Sequence, residues 1–229
     1  NHDGMTAVLL LEERRLAKAL AAAEAYYGGR HEEALRVFAL GLIAKANLLL
    51  GRTDAAATAL ATADALGSNS TQIAPWHLSG YLLARLLFDV TALEAALAKG
   101  DPGARRLRGA ARRSARWAIR VSSTVAKERT ETYRLVGRLW WVLGNQKRAA
   151  AWWKRSIAAG ERLGARPELA RTHAEIAQRL RASDEGAVDE LDADTHRRRA
   201  QEMFAELSLA WDTAQLEGPR ESRLKSRQA

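Results

Sequence analysis

The chain has 229 residues, long enough to bury a substantial core, and its 36 Lys and Arg against 27 Asp and Glu leave a net charge of +9. It contains no cysteine, which excludes a disulfide framework and a thiolate zinc site. No apolar run approaches the roughly 20 residues of a membrane-spanning helix, and no charged-then-apolar leader opens the chain, so no membrane insertion and a cytoplasmic location are expected. Ala, Leu, Arg and Glu dominate, only 4 Pro occur, and strand-like alternation is absent over any useful length, so the fold class expected is all-α.

In chain order, residues 6–27 read as a first helix, stopped by Gly28 and Gly29. A second spans about 31–50, with Ala34, Phe38, Leu42 and Ala46 at helical spacing, and Gly51 ends it. Thr53 or Asp54 is placed to cap a third helix over 55–66, whose packing stripe is Ala56, Leu60 and Ala63. After a polar linker at 67–71, residues 73–99 read as one long helix with Pro75 in its first turn, where the missing N–H costs nothing. GDPG at 100–103 is strong punctuation before an Arg-rich helix over 104–127. There Arg105, Arg108, Arg112 and Arg116 make one face, with Leu107, Ala110, Ala111, Ser114, Trp117, Ala118 and Val121 on the packing side. Residues 167–180 form the next-to-last helix, and 195–211 the last. Between them lies an acidic loop, 183–194, of which 183–193 is expected to be open with the polar segment 217–229, since both lack apolar residues to offset ordering entropy.

The stretch 130–163 carries the most information. Tyr133, Val136 and Trp140 fall on one helical face with Gly137 as the small residue at the packing point. Gly144 breaks that helix, Asn145 helps turn the chain, and Ala149, Trp153, Ser156 and Ile157 form the stripe of a second helix. Two helices in a 34-residue period resemble a tetratricopeptide repeat, with fair matches over 32–66 and 167–211. The resemblance implies an α-solenoid of stacked helix pairs, a right-handed superhelix of about nine helices over residues 5–215. Residues 1–4 read as a stub and 217–229 as a disordered basic tail. It further implies a scaffold or sensor region of a multidomain bacterial signalling or regulatory protein, with an inner groove for a protein or an acidic peptide.

In that register Lys45, Arg134, Arg138, Trp141, Arg171, Gln178 and Arg181 fall on the groove side as a basic strip with one aromatic platform. Arginine grips carboxylates with paired, charge-assisted hydrogen bonds, and reversing Arg134 and Arg138 to Glu is expected to spare the fold and remove partner binding. The bland alternative is that these arginines pair with Asp and Glu of neighbouring helices. Trp140 and Trp153 read as core, as do Trp76, Trp117 and Trp211. No phosphate loop, metal-ligand spacing or catalytic constellation is present in the sequence, so neither an enzyme nor a cofactor is expected. Histidines are scattered, with no pair four apart on one helix. The second functional reading is a nucleic-acid-binding regulator using the Arg105–Arg120 face, ranked lower because no stacking platform accompanies it.

Overall fold

The computed structural model describes residues 2–29, 32–67, 73–182 and 187–218. Among them are eleven α-helices and no strand, with one isolated bridge between Val188 and Leu191. The helices are α1 (His2–Glu12), α2 (Leu16–Gly28), α3 (Glu33–Leu49), α4 (Thr53–Leu66), α5 (Pro75–Ala98), α6 (Ala104–Thr124), α7 (Arg129–Val142), α8 (Gln146–Leu163), α9 (Arg166–Arg181), α10 (Ala193–Glu206) and α11 (Ala210–Glu217). A short 3-10 turn, Ala126–Glu128, leads into α7.

Each odd-numbered helix from α1 to α9 pairs with the helix after it, and each from α1 to α7 packs on the next odd one. Even-numbered helices from α2 to α8 pack mainly on the odd helices flanking them. The result is a solenoid-like array: the odd helices make an inner layer and the even helices an outer one. Its core is accordingly not one cluster but four, strung along the array.

Six helix ends share one device. The N–H of the residue after the turn bonds the carbonyl five residues back, from Arg52 to Asn47, Asp101 to Ala96, Asn145 to Trp140 and Ala165 to Gly160, at 2.8–2.9 Å. The residue between adopts a left-handed backbone, and Gly51, Gly100, Gly144 and Gly164 supply it there. The same bond joins Arg15 to Leu10 and Leu209 to Phe204, but the left-handed residues are Arg14 and Ser208. These two ends divide what the sequence suggests are single helices over 6–27 and 195–211. They account for the two helices beyond the nine expected.

Capping differs at one end and agrees at another. Helix α4 starts at Thr53 with no side-chain cap, whereas Asn145 accepts the N–H of Arg148 at 2.9 Å and starts α8. Close approach is set by glycines. A Cβ at Gly137 would enter the ring of Trp153, which is fully buried and donates its indole N–H to the Arg134 carbonyl at 3.2 Å. A Cβ at Gly41 would lie 2.6 Å from the Tyr81 backbone nitrogen, so α3 and α5 meet backbone to side-chain-free backbone. In α6 the buried stripe is Ala104, Ala111, Ser114, Ala115, Ala118 and Ser122, all small. Trp117, expected on that side, is instead 56% exposed.

The acidic loop is partly packed, contrary to its expected openness. Val188 is buried and exchanges backbone hydrogen bonds of 3.0 and 3.1 Å with Leu191 across a turn formed by Asp189 and Glu190. Asp192 then caps α10 by accepting the N–H of Thr195 at 2.8 Å. Burial of Val188 supplies the apolar anchor that a purely acidic reading overlooks. Residues 183–186 and 219–229, also expected to be open, lie outside the described residues.

Candidate interaction surfaces

The inner face brings together Lys45 from α3, Arg134 and Arg138 from α7 and Arg171 from α9, as expected. It turns them toward the chain's own carboxylates. Lys45 Nζ donates to Glu131 at 2.5 Å. Arg134 lies 3.1 Å from Glu131, 3.3 Å from Glu168 and 3.8 Å from Glu175. Arg138 donates to Glu94 on α5 at 2.5 and 3.0 Å, and Arg179 donates to the other oxygen of the same carboxylate. Arg171 holds both oxygens of Asp212 on α11 at 2.9 Å and donates to Glu168 at 2.5 Å and to the Glu12 carbonyl at 2.7 Å.

Arg14 completes this network. Its guanidinium donates to the Leu11 carbonyl at 3.0 Å and approaches Glu168 at 3.6 Å and Asp212 at 3.8 Å. The ions therefore tie the end of α1 to α9 and α11, joining the two ends of the array. Burial alone would raise the Glu168 carboxyl, but Arg171, Arg134 and Arg14 overcome it and hold that carboxyl well below the usual range. Glu94 is likewise lowered, burial being outweighed by hydrogen bonds and charge from Arg179 and Arg138. The basic strip expected to receive a partner is thus neutralised from within at four of its seven positions.

The other three positions divide. Trp141 is half-buried with its ring 5.4 Å from Trp153, so it packs against the cluster formed by α8 and α9 rather than forming an open platform. Gln178 and Arg181 are exposed. The missed partners, Glu131, Glu168 and Glu175, stand three or four residues before Arg134, Arg171 and Arg179, a spacing that signals same-helix pairing.

On the outer layer the balance reverses. Helix α6 carries seven arginines and no acid, and all seven are exposed. None of them meets a carboxylate among the described residues. Between α6 and α8 lies an open cleft of about 570 Å³. Its floor includes Ile119, Val136, Leu139 and Ala151, and Arg112, Arg116, Arg148 and Arg155 stand around it. Trp140, expected in the core, is half-buried there with Arg148 4.5 Å and Arg112 5.6 Å from its ring centroid. Trp152 has Arg155 at 4.6 Å and the Tyr133 ring at 5.3 Å.

Two further features come from residues distant in sequence. A space of about 470 Å³ between α4, α5 and α6 is lined by polar groups already joined to one another: Tyr81 and Arg85 both donate to Asp64, and Ser114 donates to Asp89. Burial and the Asp64 hydrogen bond push the Tyr81 hydroxyl up to about 12. His173 and His196, 23 residues apart, meet Nδ1 to Nδ1 at 2.7 Å in the buried interface of α9 and α10. The Nε2 of His196 lies 2.9 Å from the Val188 carbonyl, so it carries the proton and leaves Nδ1 to accept from His173. No helix among the described residues is long and apolar enough to cross a membrane, and no group of His, Asp and Glu there is arranged to hold a metal ion. No protein-family model matches the chain, and no curated protein matches it at a significant level.

Proposed function

We propose that the chain is a non-catalytic scaffold of the tetratricopeptide type that binds an acidic protein partner on its outer, arginine-bearing layer. The observation that carries this reading is the division of charge: inner basic residues meet internal carboxylates, whereas the seven arginines of α6 meet none among the described residues. Unpaired cations on one face raise the local concentration of anionic partners and speed their encounter. The α6 face therefore replaces the inner strip as the partner surface. The bacterial signalling context implied by the resemblance stays part of the proposal, as does a cytoplasmic location.

Nucleic acid is the second reading, favoured by the same unpaired arginines and by the nearness of Trp140 and Trp152. A variant with Arg105, Arg108, Arg112 and Arg116 changed to Gln distinguishes the two when it is compared with the parent in protein capture from lysate and in titration of duplex DNA across salt. The scaffold reading expects unchanged melting, loss of acidic captured proteins and weak DNA binding. Undiminished capture refutes it, and tight DNA binding that falls steeply with salt selects nucleic acid.

A further inference from the structure

We infer that the cleft between α6 and α8 is a docking site for a short acidic peptide segment that seats a bulky apolar side chain on the floor formed by Ile119, Leu139 and Ala151. This rests on the acidic-partner reading above and adds the place and the chemistry of recognition. The cleft has two parts that demand different things of a ligand. Ile119, Leu139 and Ala151 belong to an apolar floor, and covering such a surface favours an aliphatic or aromatic side chain. Arg112 and Arg116 stand on one bank and Arg148 and Arg155 on the other, with no acidic residue lining the cleft.

None of these four guanidinium groups donates a hydrogen bond or meets a carboxylate among the described residues. Three of them lie over indole rings, at 4.5, 4.6 and 5.6 Å from the centroids. Stacking holds a guanidinium in place through its face while its N–H edge remains open to a carboxylate. Side chains fixed this way lose less freedom when a ligand arrives. The same stacking argues against a nucleobase. Single-strand binding needs open aromatic faces, but Arg112 and Arg148 already lie against Trp140, and Arg155 and Tyr133 against Trp152. What remains is an apolar trough between cationic banks, the complement of an acidic segment with apolar anchors.

The test uses a short fluorescein-labelled peptide rich in glutamate with two leucines one helical turn apart, the same peptide with serines for leucines, and a poly-dT oligonucleotide. Two variants of the full chain accompany the parent. Ala151→Trp fills the trough without changing charge, and Arg116→Gln with Arg155→Gln removes charge from both banks. Melting curves establish that both variants remain folded. The expected result is that the leucine peptide binds the parent at least about tenfold more tightly than the serine peptide. Ala151→Trp removes that difference, and the double arginine variant weakens both peptides. Equal binding of the two peptides, or a leucine peptide indifferent to Ala151→Trp, overturns the cleft as the site while leaving an acidic partner for α6. Failure of both peptides to bind overturns the acidic-partner reading together with the cleft. Poly-dT that binds more tightly than the peptides and competes with them assigns the cleft to nucleic acid and overturns the proposal.

Discussion

At single positions, backbone geometry decides more than side-chain character does. Gly137 is the clearest case, because the Trp153 ring occupies the volume where a Cβ would stand. The ring is fully buried and hydrogen-bonded to the Arg134 carbonyl, so it has nowhere to retreat. Gly137→Ala is therefore expected to cost roughly 1–3 kcal/mol as overpacking, measured as a lower denaturation midpoint. Wild-type stability in that variant would mean the α7–α8 register is wrong. Ser208 presents the opposite case, an exposed residue in a left-handed conformation that side chains disfavour. Ser208→Gly relieves that strain and should stabilise by up to about 1 kcal/mol, after the greater unfolded-state freedom of glycine is subtracted. Destabilisation on urea unfolding would contradict the turn geometry between α10 and α11. Arg14 shares the conformation, but its guanidinium is held by Leu11, Glu168 and Asp212, so the same change there removes buried charge contacts.

Among the elements, legibility followed glycine. The ends of α3, α5, α7 and α8 are readable because a glycine takes each left-handed position, and their helices lie close to where periodicity puts them. The ends of α1 and α10 carry Arg14 and Ser208 in that role, and neither residue type announces a turn. Apolar spacing likewise placed Trp153 in the core, because its position is fixed within a single helix pair. It misplaced Trp117 and Trp140, whose surroundings depend on how far apart neighbouring outer helices stand, and Trp76, which is 46% exposed in the first turn of α5.

The histidine pair was unreadable for a related reason: only the packing of α10 on α9 joins residues 23 apart. It gives the α9–α10 pair a pH dependence of definite sign. Burial first, and then the neighbouring His196, lower His173 to about 4, and burial lowers His196 despite its hydrogen bond to Val188. An unfolded histidine titrates near 6.5. Between about 4 and 6.5 the unfolded chain thus binds protons that the folded chain refuses, and stability rises with pH. The contribution is complete above about pH 6.5 and is lost as pH falls toward 4. Urea unfolding at pH 7 and pH 5 should show lower stability at the acidic pH, and a His173→Leu, His196→Phe variant should narrow the difference. Equal stability of the parent at both pH values would contradict the neutral pair.

For the molecule as a whole, the two layers use charge in opposite ways. Inner-layer ions tie α1, α3, α5, α7, α9 and α11 together, and removing one partner from such a network leaves others buried without compensation. The sequence suggested where the basic residues lie but not what faces them, because the pairing of Arg138 and Arg179 with Glu94, or of Arg171 with Asp212, depends on the curvature of the entire array. Outer-layer arginines on α6 stand in solvent, where substitutions usually change stability by less than about 0.5 kcal/mol. A direct comparison is the thermal melt of Arg134→Glu with Arg138→Glu beside that of Arg112→Glu with Arg116→Glu. The inner pair places new carboxylates against Glu94, Glu131 and Glu168, and its melting temperature should collapse or the helical transition should vanish. The outer pair should melt within a few degrees of the parent. An inner double variant that melts like the parent would contradict the account, because it would mean that the basic strip is free to meet a partner after all.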